Sequence, residues 1–177
     1  MKIPKTALFI GRFQPFHKGH LDAIKTILKK HDKVIICIGS AEKNYLPLNP
    51  LTASERFQVI EASLIEAKIP REQYYILPVI DINNYTVWVK HVSSYVPPYQ
   101  SVYTGSGLVR VCYEEFTKLV KPEFAPKIYE LQRILHISAT EIRHGLLNDG
   151  PWEDMMLKSG ADLIKKWDIK ERLQKIC

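Results

Sequence analysis

The sequence is poor in features that mark secreted, metal-binding or membrane proteins. It has three cysteines among 177 residues, and the spacing of Cys37, Cys112 and Cys177 fits neither a metal motif nor a paired disulfide framework. The longest apolar runs, such as residues 34–38, have the length of a strand and fall far short of the roughly 20 residues that cross a bilayer. We therefore expect reduced cysteines and no transmembrane helix.

An export signal and an internal boundary are also lacking. Residues 1–6 carry charge but lead into a motif instead of a long apolar stretch with a small-residue cleavage site. No linker or internal repeat divides the chain. These absences predict a cytoplasmic protein with a single domain over residues 1–177, which ends in a helical extension from about residue 152.

The positive charge is spread along the chain. The net charge is +6, yet like charges occur as short pairs such as Lys29-Lys30 and Lys165-Lys166, both on expected helix faces. Charge alone does not choose between nucleic acid, a membrane surface and small polyanions. The absence of a recognisable nucleic-acid module, and of aromatic residues interleaved with a basic stripe, argues against nucleic acid as a partner.

Strand-like and helix-like segments alternate along the chain, which predicts an α/β fold with a doubly wound parallel sheet. The expected strands are residues 7–10, 34–38, 74–79, 101–104 and 134–137. Helices are expected at about 19–30, from 52, from about 86, around Cys112, from 138 and at about 159–174. Two of them begin with capping boxes, Thr52 with Glu55 and Ser138 with Glu141. Residues 120–132 fit no element.

The first strand leads into a segment suited to binding phosphate. Between Gly11 and His20 the chain places two glycines, two histidines and the cations Arg12 and Lys18. The glycines let a ligand approach the backbone, and the helix beginning near His20 adds free N–H groups and the positive end of its dipole. A ligand with several phosphates fits this segment best.

The candidate residues also have structural interpretations. His17 and His20 could form a metal pair, although no third ligand lies close in sequence. Trp88 lies on an amphipathic helix and could belong to the core, while Ser138 could be purely a helix cap. Arg56 could form an ion pair on the surface with a nearby glutamate such as Glu55 or Glu61.

Two motifs carry a family resemblance. Residues 17–20 read H-x-G-H and residues 137–143 read I-S-x-T-x-x-R, the paired signatures of the nucleotidyltransferase superfamily. The blocks at 11–17, 38–41, 52–56 and 78–82, together with Trp88, resemble the archaeal family of nicotinamide-nucleotide adenylyltransferases. The likeness extends from about Ala7 to Trp152.

This resemblance implies a Rossmann-like nucleotidyltransferase fold and a specific reaction. AMP would pass from ATP to the 5′-phosphate of nicotinamide mononucleotide (NMN), giving NAD and pyrophosphate. A phosphate is already a competent nucleophile, so catalysis needs alignment and charge neutralisation but no protein base. Mg²⁺ would bind mainly through the ATP phosphates. The family also implies a homo-oligomer.

The resemblance assigns residues to both substrates. The catalytic residues would be Arg12, His17, His20 and Arg143. ATP would contact these four together with Gly11, Phe13, Ser138 and Thr140. NMN would contact Ser40, Arg56, Asp81 and Trp88, with the Trp88 indole against the nicotinamide ring, where stacking and cation–π attraction would contribute about 1–2 kcal/mol.

One position departs from the family pattern, and other functions remain as alternatives. Ser106, in the loop Gly105-Ser106-Gly107, stands where relatives tend to have asparagine. The alternatives are a sister adenylyltransferase for FMN or phosphopantetheine, a cytidylyltransferase, and a non-catalytic module that senses pyridine nucleotides. Asp81 and Trp88 argue against the sister enzymes, and the full set of phosphate-binding residues argues against the sensor.

Overall fold

Five parallel strands form the centre of the computed structural model, which describes residues 4–131 and 137–177. They are β1 (Thr6–Gly11), β2 (Lys33–Ile38), β3 (Tyr74–Pro78), β4 (Ser101–Thr104) and β5 (Lys127–Glu130), in the order β3-β2-β1-β4-β5. The chain moves outward from β1 in one direction and then returns to add β4 on the other side. This reversal creates a topological switch point beside β1, where ligands bind in open α/β sheets.

Helices cover both faces of the sheet, as the alternating pattern predicts. They are α1 (Lys18–Leu28), α2 (Ala53–Glu66), α3 (Trp88–Tyr95), α4 (Gly107–Leu119), α5 (Ala139–Leu147), α6 (Lys158–Lys166) and α7 (Ile169–Ile176). In β1, Ala7 and Phe9 face the core shared with α1, α2 and α5 to α7, while Leu8 and Ile10 face the core shared with α3 and α4. The doubly wound, Rossmann-like fold is therefore confirmed.

The capping boxes are formed where the sequence places them. The backbone N–H of Glu55 donates to Thr52 Oγ1 at 3.1 Å, and the Thr52 N–H donates to the Glu55 carboxylate at 2.8 Å. Ser138 and Glu141 make the same reciprocal pair at the start of α5. In the described ranges, no helix is both long enough and apolar enough to span a membrane.

Two elements differ from the prediction. The fifth strand is β5, inside the segment that fits no element, while the strand expected at 134–137 lies mostly outside the described residues. β5 is an edge strand with largely exposed side chains, so it lacks the apolar pattern of a buried strand. The helix expected at 159–174 is two helices, because Asp168 adopts a left-handed φ of 48° and its carboxylate caps α7 through the Glu171 N–H.

Candidate active site

Two neighbouring cavities open at the carboxyl ends of the strands, on either side of the turn after β1. Cavity A, of about 540 Å³, is lined by that turn and by the starts of α1 and α5. Cavity B, of about 360 Å³, is lined by residues following β2 and β3 and by the first turns of α3 and α4. Ile10, Gly11, Arg12 and Ser106 line both cavities. These four residues therefore form the wall that the two cavities share.

The two histidines of the H-x-G-H motif lie at the start of α1 and line cavity A. Their rings are stacked with centroids 3.7 Å apart. The backbone N–H of His17 donates to Nδ1 of His20 at 3.2 Å, so a neutral His20 carries its proton on Nε2. Burial, reinforced by the neighbouring His17, holds the pKa of His20 well below its usual value. His20 is thus a neutral hydrogen-bond donor at physiological pH.

The start of α5 faces the same cavity. Ser138, Thr140 and Arg143 all line cavity A. Arg143 is buried and donates to the Gln14 carbonyl at 2.8 Å and to Thr140 Oγ1 at 3.3 Å. Burial, together with the charge of Arg12, lowers the pKa of the Arg143 guanidinium. Two helix N-termini and two arginines therefore converge on one cavity, an arrangement that suits a polyphosphate.

The turn between β1 and α1 depends on Gly11. A Cβ at this position would lie 2.9 Å from ring atoms of Phe13, which is buried with a φ of 51°. Phe13 in turn contacts the His20 ring edge to face at 4.9 Å. Lys18 differs from its expected role, because its Nζ donates to the Asp154 carbonyl at 2.6 Å and the residue does not line cavity A.

Three of the four residues expected at NMN line cavity B: Ser40, Asp81 and Trp88. Trp88 is half-buried and meets Tyr113 edge to face at 6.2 Å. The Asp81 side chain is 16% exposed, accepts the Asn83 N–H at 3.2 Å and lies 4.0 Å from the Lys43 ammonium. Cavity B therefore combines an aromatic face with a carboxylate.

Arg56, the fourth residue, lies outside both cavities. It is completely buried, and its guanidinium donates to six backbone carbonyls at 3.0 to 3.4 Å. This placement argues against the expected contact with the mononucleotide phosphate, because the donors already have acceptors. It also excludes the surface ion pair with Glu55, whose carboxylate binds Arg172 at 2.7 Å through two hydrogen bonds.

Some lining residues of cavity A were missed by the sequence analysis. Asp22 and Thr26 on α1, and Lys30 just beyond its end, follow one another at intervals of four residues, so a polar stripe at helical spacing was the available signal. Tyr103 of β4 is buried against the cavity, and its hydroxyl has no hydrogen-bond partner among the described residues. Next to it, the loop position Gly105 has open space around a hypothetical Cβ, which agrees with a loop small enough for close ligand approach.

Comparison with known proteins places the chain in a class and then in a narrower group. The cytidylyltransferase-like family model matches residues 8–145. Nicotinamide-nucleotide adenylyltransferase of Pyrococcus furiosus is 39% identical over 173 residues, which cover 96% of this chain and 88% of the relative. The enzyme of the same name from Ignicoccus hospitalis is 39% identical over 172 residues, 96% of each chain. The chain therefore belongs to the cytidylyltransferase-like family and, within it, to the nicotinamide-nucleotide adenylyltransferases.

Solved structures support the same fold. A bifunctional NMN adenylyltransferase/ADP ribose pyrophosphatase from Francisella tularensis superposes with a TM-score of 0.76 at 26% identity, over 96% of this chain. A second structure of that description, in complex with AMP and a manganese ion, gives a TM-score of 0.75 at 28% identity over 98% of this chain. The chain spans about half the length of these two proteins, 52% in each case.

Proposed function

We propose that the protein transfers AMP from ATP to the 5′-phosphate of NMN, forming NAD and pyrophosphate. One observation carries this proposal: cavities A and B share Gly11 and Arg12. A triphosphate in cavity A and a mononucleotide in cavity B would meet at that shared wall. There, alignment of two bound phosphates supplies much of the catalysis.

The reaction needs no protein nucleophile. An oxygen of the NMN phosphate bonds to the α-phosphorus of ATP, the bond from that phosphorus to its bridging oxygen breaks, and pyrophosphate leaves with the electron pair. Negative charge grows on the leaving group, which the neutral Nε2–H of His20, the guanidinium of Arg143 and the N-termini of α1 and α5 are placed to stabilise. Arg12 contacts both reacting phosphates.

Mg²⁺ fits this site through the substrate. Relatives of this class generally use a divalent metal with ATP. Within residues 4–131 and 137–177, no group of three or more His, Cys, Asp or Glu is placed to hold a metal ion. Mg²⁺ accepts few protein ligands and keeps much of its water, so it would enter on the ATP phosphates and neutralise the charge of the triphosphate.

Cavity B supplies the recognition of NMN. The Trp88 indole offers a face for the cationic nicotinamide ring, and the Asp81 carboxylate offers an acceptor for the carboxamide NH₂. Ser40, in the turn after β2, lines the same cavity. The rest of cavity A, between α1 and the ends of β4 and β5, is left for the adenosine of ATP.

A substrate panel tests this function. The protein is incubated with Mg²⁺, with ATP or CTP, and with NMN, nicotinate mononucleotide, FMN or phosphopantetheine, and products and pyrophosphate are measured by mass spectrometry and a coupled assay. We expect NAD and pyrophosphate in equal amounts from ATP and NMN. Turnover of another acceptor without NAD formation would assign a sister enzyme, and NMN binding without any turnover would assign the sensor.

A further inference from the structure

We infer that Arg56 is a positioning residue, which holds the two turns of the active site together without touching substrate. The inference rests on the proposed function in one respect, because its binding test assumes that NMN is a substrate. Its basis is the set of acceptors around one guanidinium. They are the carbonyls of Arg12, Gly39, Ser40, Ala41, Lys43 and Thr52.

These acceptors come from three separate parts of the chain. Arg12 belongs to the turn after β1 and lines both cavities, whereas Gly39 and Ser40 belong to the turn after β2 and line cavity B. Thr52 is the N-cap of α2, the helix that carries Arg56 itself. One side chain therefore connects the shared wall of the cavities with the wall of cavity B.

The Arg56 guanidinium is buried and contacts backbone carbonyls instead of a carboxylate. The residue is 0% exposed, and among the described residues no carboxylate lies within ion-pair distance of it. Burial is the largest influence on its pKa and lowers it to about 10, so the group is still charged at neutral pH. A buried cation is stable only where its donors are satisfied. Here the backbone carbonyls of the two turns satisfy them.

The turn after β2 needs such support. Ser40 adopts a φ of 47°, a conformation that is unfavourable for residues other than glycine. Three of the six carbonyls belong to Ser40 and to its neighbours Gly39 and Ala41. Lysine cannot replace this contact, because an ammonium offers three donors at one point and not a planar fork.

The binding test pairs the variant Arg56→Lys with removal of the substrate's phosphate. Dissociation constants for NMN and for nicotinamide riboside, which lacks the phosphate, are measured by calorimetry with wild-type and variant protein. If Arg56 positions the turns without touching the phosphate, the substitution should raise both dissociation constants by a similar factor, about tenfold. The effect of the substitution would then not depend on whether the ligand carries a phosphate. Loss confined to NMN would mean direct phosphate contact and would overturn the inference, as would unchanged binding of both ligands.

The matched control is Arg172→Lys. Arg172 is a partly buried arginine that also donates to a backbone carbonyl, that of Pro50, but lines neither cavity. We expect it to lower stability and leave both dissociation constants unchanged. Amide hydrogen exchange supplies a readout that needs no substrate. In Arg56→Lys the amides of Gly39, Ala41 and Lys43, which are hydrogen-bonded in the wild type, should exchange about tenfold faster, and equal exchange would contradict the inference.

A crystal structure of the wild-type protein with NMN covers the case in which Arg56→Lys does not fold. All six carbonyl contacts should persist, with no hydrogen bond from the guanidinium to phosphate. A hydrogen bond between Arg56 and the NMN phosphate would overturn the inference. A wild-type protein that binds no NMN would count against the proposed function, and hydrogen exchange in the variant would then decide the role of Arg56 separately.

Discussion

His20 shows how one hydrogen bond can set the chemistry of a side chain. Its Nδ1 accepts the His17 N–H, and burial lowers its pKa, so the ring is neutral in the protein without substrate. In the proposed reaction, its one N–H would donate to the leaving group. The variant His20→Ala should therefore lower kcat by about 10²-fold or more, since the donor acts mainly in the transition state. Its NMN dissociation constant should change less than about twofold.

The matched control for this prediction is His144→Ala, an exposed histidine on α5. Steady-state kinetics with saturating ATP and a separate titration of NMN give the two quantities. Equal losses in turnover and NMN affinity would place His20 in general substrate binding and not in stabilisation of the leaving group.

Trp88 offers its indole to cavity B while its edge packs near Tyr113. The variant Trp88→Ala should weaken NMN binding by about tenfold, the loss expected for stacking and cation–π attraction, and leave the dissociation constant of ATP unchanged. Trp88→Phe, which keeps an aromatic face, should lose less. Titrations with NMN and with ATP measure both dissociation constants. Unchanged NMN affinity in Trp88→Ala would show that Trp88 is a core residue and does not bind NMN.

Asp81 would give cavity B a preference between nicotinamide and nicotinate rings. Its carboxylate is mostly buried and lies 4.0 Å from the Lys43 ammonium. Nicotinate mononucleotide would bring a second carboxylate against it, which costs free energy in a partly buried site. Asp81→Asn should therefore raise kcat/KM for nicotinate mononucleotide relative to NMN by about tenfold. Asp149→Asn, on an exposed turn, is the control, and an unchanged ratio in Asp81→Asn would remove this role.

At the scale of elements, local signals were predictable and contacts between distant segments were not. The capping boxes at Thr52 and Ser138 need only residues three apart, and both are formed. The edge strand β5 lacks a buried face, so its sequence has no alternation of apolar and polar residues from which a strand could be predicted. The six carbonyls around Arg56 come from turns up to 44 residues away along the chain, a distance over which a sequence pattern carries no information.

The ion pair between Glu55 and Arg172 connects the start of α2 to α7. Burial opposes ionisation of Glu55, but the hydrogen bonds and charge of Arg172, together with the Thr52 N–H, outweigh it and lower the pKa. A carboxyl whose folded pKa is depressed stabilises the fold above the unfolded pKa of about 4.3, and this contribution disappears as the pH falls through the folded pKa. The Glu55–Arg172 ion pair is thus an acid-sensitive contact between α2 and α7.

Glu55→Gln should lower the free energy of unfolding at pH 7 by about 1.5–3 kcal/mol, the range for hydrogen bonds to a charged group. The difference from wild type should shrink when urea unfolding is repeated below pH 4. Glu171→Gln, which breaks the exposed pair with Lys175, should change stability little and serves as the control. A constant difference between pH 7 and pH 3 would show that Glu55 contributes by packing alone.

At the scale of the whole molecule, the reversal of strand order beside β1 produces the two cavities. β2 and β3 extend the sheet on one side and supply cavity B, while β4 and β5 extend it on the other and help to wall cavity A. The turn after β1 lies between them by necessity. The sequence predicted the doubly wound sheet and placed motifs after strand ends, and the carboxyl ends of parallel strands share one edge. It did not predict the strand order or the division into two cavities.

This geometry makes a distinction between the two arginines of the site. Arg12 lines both cavities, whereas Arg143 lines cavity A alone and is fixed by the Gln14 carbonyl. Arg12→Ala should raise the dissociation constants of ATP and NMN, each by about tenfold, as expected for loss of a charge-assisted contact to phosphate. Arg143→Ala should weaken ATP by a similar factor and leave NMN within about twofold.

Binding of the product, NAD, is the second measurement that tests the roles of Arg12 and Arg143. NAD would place its two nucleotide halves in the two cavities with its pyrophosphate beside Arg12, so it should compete with ATP and with NMN in equilibrium binding. Its affinity should fall in Arg12→Ala, because Arg12 lines both cavities, and should fall less in Arg143→Ala, because the pyrophosphate that Arg143 would stabilise has left before NAD is formed. If NAD displaced only one substrate, or if Arg12→Ala weakened only ATP, the two cavities would not form one continuous site, and the transfer reaction would lose its geometric basis.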